Sequence, residues 1–149
     1  MNQLINKGLK TVLVCLFILT AINGCKDVNN SSIPYIYVDI NINPSNIIEL
    51  NIPGGSFYYA NPGFGGIILF RDLSTESNPY LAFDAACPYE KSSTCRVKAT
   101  YASGVVKCPC CKTEFILFGG NGSPTKGPAT EPLKQYRTYY TGGLINIRN

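Results

Sequence analysis

The sequence predicts an all-β domain, a small antiparallel β-sheet sandwich or barrel. Residues 35–42 alternate strictly between aliphatic and other side chains, which is typical of a half-buried antiparallel strand. About ten short segments of this kind follow one another, separated by clusters of Gly, Pro, Asn and Ser. No stretch shows the 3.6-residue period of an amphipathic helix, and we find no internal repeat.

The predicted strands can be placed in chain order because turn signals bound each of them. A turn at residues 43–45 follows the first strand, and Pro53-Gly54-Gly55 precedes the third. The glycine-dense segment 61–66 lacks the Lys-Ser/Thr of a phosphate loop, so we interpret it as a hairpin connection. Residues 119–132, rich in Gly and Pro, are predicted to form a loop. The strands predicted after the first are residues 47–51, 56–59, 67–71, 81–84, 96–100, 105–107, 114–118, 133–138 and 144–147.

Residues 1–24 have the pattern of a lipoprotein signal peptide. Lys7 and Lys10 supply positive charge before an apolar run at residues 11–22, which is too short to span a membrane comfortably. The run ends in Ile22-Asn23-Gly24-Cys25, which resembles the lipobox of bacterial lipoproteins. The alternative is an ordinary secretory signal with an incidental cysteine.

We therefore expect Cys25 to be lipidated and to become the N-terminus of the mature protein. Several acyl chains together anchor a protein stably in a membrane. Residues 25–33 would comprise the lipidated cysteine and a flexible tether, and residues 34–149 the folded domain. This organisation predicts a membrane-anchored protein of the cell envelope, outside the cytoplasm, in a compartment where disulfides persist.

Composition excludes several classes of function. The chain has no His, so Ser-His and Cys-His catalytic pairs and imidazole metal ligands are excluded. The formal net charge is +4, without a basic stripe that would indicate a nucleic-acid partner. Asp84, Glu90 and Glu114 flank the cysteine-rich segments, and we expect them to be solvated. No nucleophile–base pair is visible in the sequence. Whether the chain is the electron-transfer component of an oxidoreductase is left open.

The cysteines cluster in two short segments. Five of the seven lie between positions 87 and 111, in Cys87-Pro88-Tyr89, at Cys95, and in Cys108-Pro109-Cys110-Cys111. Each Pro fixes φ and removes an N–H donor, so neither segment can be mid-strand in a sheet. Two cysteine-rich loops that meet make a metal or cluster site, or a set of cross-loop disulfides.

These segments resemble the two ligand loops of the Rieske iron–sulfur domain, over roughly residues 35–149. That family uses Cys-x-His and Cys-Pro-x-His-Gly-x-x-Phe loops, and a third loop with Gly-Pro-Ala, followed by Leu-x-x-Tyr, covers the cluster. The resemblance implies a small antiparallel β domain whose cysteine loops form a cap at one end. The residues that carry it are Cys87-x-Tyr89, Cys108-Pro109-Cys110-Cys111-x-x-x-Phe115, Gly127-Pro128-Ala129 and Leu133-x-x-Tyr136.

The sequence departs from the family pattern at both histidines. Cys87 and Cys108 match the two cysteine ligands, whereas Tyr89 and Cys111 stand at the two histidine positions, and Lys112 replaces the usual Gly. In respiratory members a disulfide joins the two loops. Its partners would correspond here to Cys95 and Cys110, with Cys95 a few residues beyond the family spacing.

The first interpretation of this pattern is a 2Fe–2S cluster with altered ligands. Cys87, Cys108 and Cys111 would supply thiolates, and Tyr89 or a fourth cysteine would complete the set. The protein would then be an electron-transfer domain that serves an unknown redox partner. The loop at Gly127-Pro128-Ala129 would cover the cluster.

Two other interpretations remain open. The cysteines could pair instead, with Cys95–Cys110 closing a loop worth about 3 kcal/mol and Cys87 joined to Cys108 or Cys111, in a cluster-free envelope binding module. A structural zinc bound by four cysteines is the third choice, since Cys108-x-x-Cys111 has a suitable spacing.

Overall fold

Twelve antiparallel strands form in the computed structural model, which describes residues 31–74, 77–99 and 103–149. The predicted signal peptide, Cys25 and most of the predicted tether lie outside the described residues. The strands are β1 (Asp39–Ile42), β2 (Ser56–Tyr59), β3 (Ile67–Arg71), β4 (Tyr80–Asp84), β5 (Ala86–Cys87), β6 (Ser92–Arg96), β7 (Lys98–Ala99), β8 (Val105–Lys107), β9 (Glu114–Ile116), β10 (Ser123–Lys126), β11 (Gln135–Thr141) and β12 (Leu144–Arg148).

The strands build three sheets, and the all-β prediction is confirmed. The largest has the order β1-β12-β11-β4-β3-β2, the second has the order β10-β9-β8-β7, and β5 pairs with β6. The only helical elements in the described ranges are three short 3-10 turns, at Pro44–Asn46, Ile48–Asn51 and Phe118–Gly120. None of them is long or apolar enough to cross a membrane.

Strand β3 separates two hydrophobic clusters. Ile68 and Phe70 point into a cluster with Phe83, Phe115 and the buried cysteines. The alternate residues, Ile67 and Leu69, point into a second cluster that includes β12 side chains. A strand buried on both faces reads as a continuous apolar run, and full burial of one such side chain contributes roughly 1.5–3 kcal/mol. The cysteine end of the domain is thus built on a packed core.

Several predicted boundaries were wrong, for identifiable reasons. The predicted strand at 47–51 is instead the 3-10 turn Ile48–Asn51, where the N–H of Leu50 donates to the carbonyl of Ile47 (3.1 Å). The first strand begins only at Asp39, because the side chain of Asn149, rather than a strand, bonds Ile36 and Val38. The predicted loop 119–132 contains strand β10. Of the predicted strand 96–100, the structure has Arg96 ending β6 and Lys98–Ala99 forming β7, and Thr100 lies outside the described residues.

The carboxylate of Asp84 is fully buried, contrary to our expectation that it is solvated. Its Oδ1 accepts from the N–H groups of Gly65 (2.9 Å) and Ala86 (2.8 Å). Its Oδ2 accepts from the N–H of Phe64 (2.8 Å) and the hydroxyl of Tyr136 (2.7 Å). Burial, together with the adjacent Asp84 charge, holds the pKa of Tyr136 well above its ordinary value. Asp84 therefore joins three chain segments at the base of the first cysteine turn.

We predict that Asp84→Asn lowers the free energy of unfolding by about 3 kcal/mol. Both carboxylate oxygens accept a hydrogen bond from at least one backbone N–H, so either orientation of the new amide sets its NH₂ group against a backbone donor. Urea unfolding of the purified protein measures the change. Tyr136→Phe is the control, and it removes a single hydroxyl and should cost about 1 kcal/mol. Equal effects of the two substitutions would contradict this account.

Candidate metal centre

Two five-residue turns with the same backbone hydrogen bond contain Cys87, Cys108, Cys110 and Cys111. Cys87-Pro88-Tyr89-Glu90-Lys91 connects β5 to β6, and Cys108-Pro109-Cys110-Cys111-Lys112 connects β8 to β9. In each turn the N–H of the final Lys donates to the carbonyl of the first Cys, at 2.9 Å and 3.0 Å. Both Lys residues have positive φ, 51° and 65°. The two turns therefore share the short pattern Cys-Pro-x-x-Lys.

The two turns bring three free thiols together. The Sγ atoms of Cys87, Cys108 and Cys111 all lie within 4.8 Å of one another, and Cys87 Sγ is 3.6 Å from Cys111 Sγ. Cys87 and Cys108 are fully buried, and Cys111 is partly exposed. Two thiolates on one tetrahedral metal with bonds of about 2.3 Å lie about 3.8 Å apart, which is close to the observed separation.

Cys95 and Cys110 form a disulfide next to these thiols. Their Cα atoms are 6.2 Å apart, and the bond joins strand β6 to the second turn. Such a cross-link restricts the unfolded chain, and a loop of this length is worth about 3 kcal/mol on the chain-entropy account. The disulfide therefore fixes the second turn against the hairpin that carries the first.

Two of the thiols have pKa values shifted in opposite directions. Burial raises the pKa of Cys87 well above its usual value, and the backbone N–H groups of Glu90 and Tyr89 only partly offset this. Burial also acts to raise the pKa of Cys111, but hydrogen bonds with Thr113, Cys108 and Cys87 together outweigh it, and the net pKa is lowered. Of these two thiols, the partly exposed Cys111 more readily carries negative charge, with Cys87 Sγ beside it as a donor.

Thr113 connects the thiols to the third loop. It is fully buried, and its Oγ1 lies 3.2 Å from Cys111 Sγ and accepts a hydrogen bond from the N–H of Ala129 (3.2 Å). Gly127 has a φ of 107°, and a Cβ at that position would lie 2.6 Å from the Cα of Thr113. The sequence analysis missed Thr113, because a threonine two residues after a cysteine carries no distinguishing signal by itself.

Tyr89 has a different environment from the three thiols. Its side chain is 54% exposed and lines a cleft of about 260 Å³ with Pro88, Lys91, Thr130 and Glu131. Pro88 also accepts a hydrogen bond from the hydroxyl of Ser32 (3.1 Å), so contacts with the first turn begin before residue 34. Of the other two flanking carboxylates, Glu90 and Glu114 are both partly exposed, and Glu114 pairs with Lys107 at 2.9 Å.

We predict that Thr113→Val lowers the free energy of unfolding by about 2 kcal/mol, because the buried N–H of Ala129 loses its acceptor. Thr113→Ser keeps the hydroxyl and should stay within about 1 kcal/mol of the wild type. Urea unfolding measures both changes. Hydrogen exchange at the Ala129 amide should accelerate in the valine variant alone, and unchanged exchange there would count against the bond.

Gly127→Ala should also destabilise the third loop, since the new methyl group meets Thr113 and the backbone has a positive φ. Gly119→Ala is a matched control: its φ is 73°, and a Cβ there has no neighbour within 4 Å. We expect a loss of about 1 kcal/mol for the control and about 3 kcal/mol for Gly127→Ala. Thermal or urea unfolding gives the difference, and equal losses would show that no close contact exists.

Comparison with known proteins identifies the fold. No protein-family model matches the chain, and no curated protein sequence matches it significantly. The plasma membrane Rieske protein of the cyanobacterium Synechocystis PCC 6803 is 22% identical with a TM-score of 0.52, covering 77% of this chain and all of the other.

Two further solved structures match with similar scores. A chain from the complex of reduced oxygenase and oxidized ferredoxin in carbazole 1,9a-dioxygenase is 16% identical with a TM-score of 0.51, covering 77% of this chain and 94% of the other. A quaternary ammonium Rieske monooxygenase is 18% identical with a TM-score of 0.52, covering 75% of this chain and 31% of the other. The chain therefore has a Rieske-like all-β fold, as its strand pattern and cysteine motifs predicted.

Proposed function

We propose that this protein is an electron-transfer domain that binds a 2Fe–2S cluster through altered ligands. Cys87, Cys108 and Cys111 would supply three thiolates, and Tyr89 would be the fourth donor. The observation that carries the proposal is the convergence of three free thiols from two matched turns. The Rieske-like fold supports it, because the two turns occupy the cysteine end of that fold.

The donor set suits such a cluster chemically. Thiolates are the usual ligands of 2Fe–2S clusters, and His ligands are excluded because the chain has none. Tyr89 would have to bind as a tyrosinate, with loss of its hydroxyl proton. Because Tyr89 is half-exposed, its side chain is the weakest member of the proposed set.

The surrounding residues would hold the negative charge of the thiolates. The backbone N–H groups of Tyr89 and Glu90 act on Cys87, and the hydroxyl of Thr113 acts on Cys111. Burial of Cys87 and Cys108 keeps water from two of the three sulfurs. A bound 2Fe–2S cluster supplies one-electron transfer, and the partly exposed Cys111 would mark the side at which a redox partner approaches.

We also propose that the protein is a lipoprotein of the cell envelope. The basis is the signal-like segment 1–24, followed by Cys25. One matched structure is described as a plasma membrane Rieske protein, and another is described as a complex of an oxygenase with a ferredoxin. By analogy, the partner of this chain would be a redox protein at or near the membrane.

Two alternatives are each favoured by a particular observation. The 3.6 Å approach of Cys87 Sγ and Cys111 Sγ would also suit a second disulfide, which would give a cluster-free envelope binding module. The Cys108-x-x-Cys111 spacing, with Cys87 nearby, would also suit a structural zinc ion.

Iron and acid-labile sulfide analysis of anaerobically purified full-length protein tests the proposal. We expect about two irons and two sulfides per chain, and a reduction potential nearer the roughly −400 mV of all-thiolate clusters than the −150 to +300 mV of histidine-ligated centres. Cys111→Ser should abolish the iron content, whereas Ser45→Ala, at an exposed position in the Pro44–Asn46 turn, should leave it unchanged.

The contrary outcomes separate the alternatives. A colourless, iron-free protein with one free thiol among the five cysteines of residues 87–111 would establish the disulfide-stapled module. One zinc ion per chain without sulfide would establish the structural zinc site.

A further inference from the structure

Cys108 belongs to two groups of sulfur atoms at once. Its Sγ lies within 4.8 Å of the free thiols of Cys87 and Cys111, and also within 4.8 Å of the disulfide-bonded sulfurs of Cys95 and Cys110. The five sulfurs therefore form one continuous cluster, in which a disulfide borders an incomplete set of thiol ligands.

The three free thiols leave a metal site one sulfur short. Structural zinc sites and iron–sulfur clusters are typically closed by four ligands, and four-cysteine sets are common to both. With no His in the chain, nitrogen ligands from imidazole are excluded. The sulfurs nearest to the incomplete set, among the described residues, are those held in the Cys95–Cys110 disulfide.

We propose that the Cys95–Cys110 disulfide gates metal binding, and that its reduction supplies the fourth thiolate. The reduced site would consist of Cys87, Cys108, Cys111 and one of Cys95 or Cys110, in place of Tyr89. This inference rests on the proposed function in one respect only: both place a metal at the thiols of Cys87, Cys108 and Cys111. It adds that the redox state of the disulfide controls how many sulfurs the site offers.

The exposure of the disulfide suits this role. Cys110 is exposed on the second turn, whereas Cys95 is buried, so an external reductant reaches the Cys110 sulfur first. A thiolate of a dithiol reductant attacks Cys110 Sγ, the S–S bond breaks, and Cys95 leaves as a thiolate. The second thiol of the reductant then displaces Cys110 and becomes oxidised to the reductant's own disulfide, which balances the two electrons.

The sulfurs released by this reaction are well placed to bind. Each released sulfur already lies within 4.8 Å of Cys108 Sγ, and Cys110 is the direct neighbour of Cys111 in the same turn. The free cysteines of the two turns are fixed by the backbone bonds of Lys91 and Lys112. Recruitment of a fourth sulfur therefore needs only a local movement of the second turn or of Cys95.

Cobalt(II) titration of the full-length protein in detergent tests the proposal without depending on iron or on activity. Cobalt(II) is a spectroscopic probe for thiolate sites, since its sulfur-to-metal absorption grows with the number of bound sulfurs. Protein whose disulfide is mapped as intact should bind Co²⁺ weakly. After anaerobic reduction with a phosphine, affinity should rise at least about tenfold, because even outer-shell partners change metal affinity by that much. The absorption should rise in the ratio of four sulfurs to three.

Variants then identify the fourth ligand. Cys95→Ser and Cys110→Ser each break the disulfide and leave one sulfur free. The variant that binds Co²⁺ tightly without reductant is the one that retains the cysteine acting as the fourth ligand. The double variant should bind as weakly as the oxidised wild type under all conditions, while circular dichroism confirms that it is folded.

Two results would overturn the gate. These are unchanged affinity on reduction of the wild type, and tight binding by the folded double variant. The iron analysis separates this inference from the proposed function. Reduction-dependent Co²⁺ binding in a protein that carries no iron would retain the gate and refute the cluster. Equal iron and sulfide content with the disulfide intact and reduced would retain the cluster and refute the gate.

Discussion

The buried carboxylate of Asp84 is the constraint on which the cysteine end of this domain depends. A buried charge must be fully hydrogen-bonded, since an uncompensated one costs several kcal/mol. Its four donors come from the glycine-rich segment, from β11 and from Ala86 directly before Cys87. The carboxylate can therefore be satisfied only when these segments meet. The start of the first cysteine turn is fixed as a consequence of that requirement.

The second turn is held by a different combination of bonds. The disulfide joins it to β6, the N–H of Cys108 donates to the carbonyl of Thr113 (2.8 Å), and the Thr113 hydroxyl connects it to the third loop. Each bond is short-range in space and joins residues that are separated along the chain. Both turns are thus rigid before any metal binds, which lowers the ordering cost that a metal site would otherwise carry.

Strand pattern and cysteine spacing predicted much of the fold. The residues whose structure was predicted wrongly are those that depend on tertiary partners. Residues 56–59 and 67–71 were predicted correctly because their apolar patterns and flanking turns are local signals. Strand β10 was missed because Pro124 and the glycines around it indicate a loop, yet Pro is compatible with an edge strand. The burial of Asp84 depends on partners 19, 20 and 52 residues away, and the role of Thr113 depends on Ala129, 16 residues away, which no local pattern reveals.

The fold fixes where the two turns meet, whereas the ligand types decide what chemistry is available there. In the proposed site, a thiolate and a tyrosinate stand at positions where the Rieske pattern has neutral imidazoles, so the site carries more negative charge. That charge disfavours the addition of an electron, which is the physical reason for a lower reduction potential. Sulfur ligands also differ from imidazoles in that they can be withdrawn as disulfides. Replacing both histidines would therefore make occupancy of the proposed site depend on the thiol redox state of its compartment, a dependence that does not apply to the two imidazole ligands of a two-histidine site.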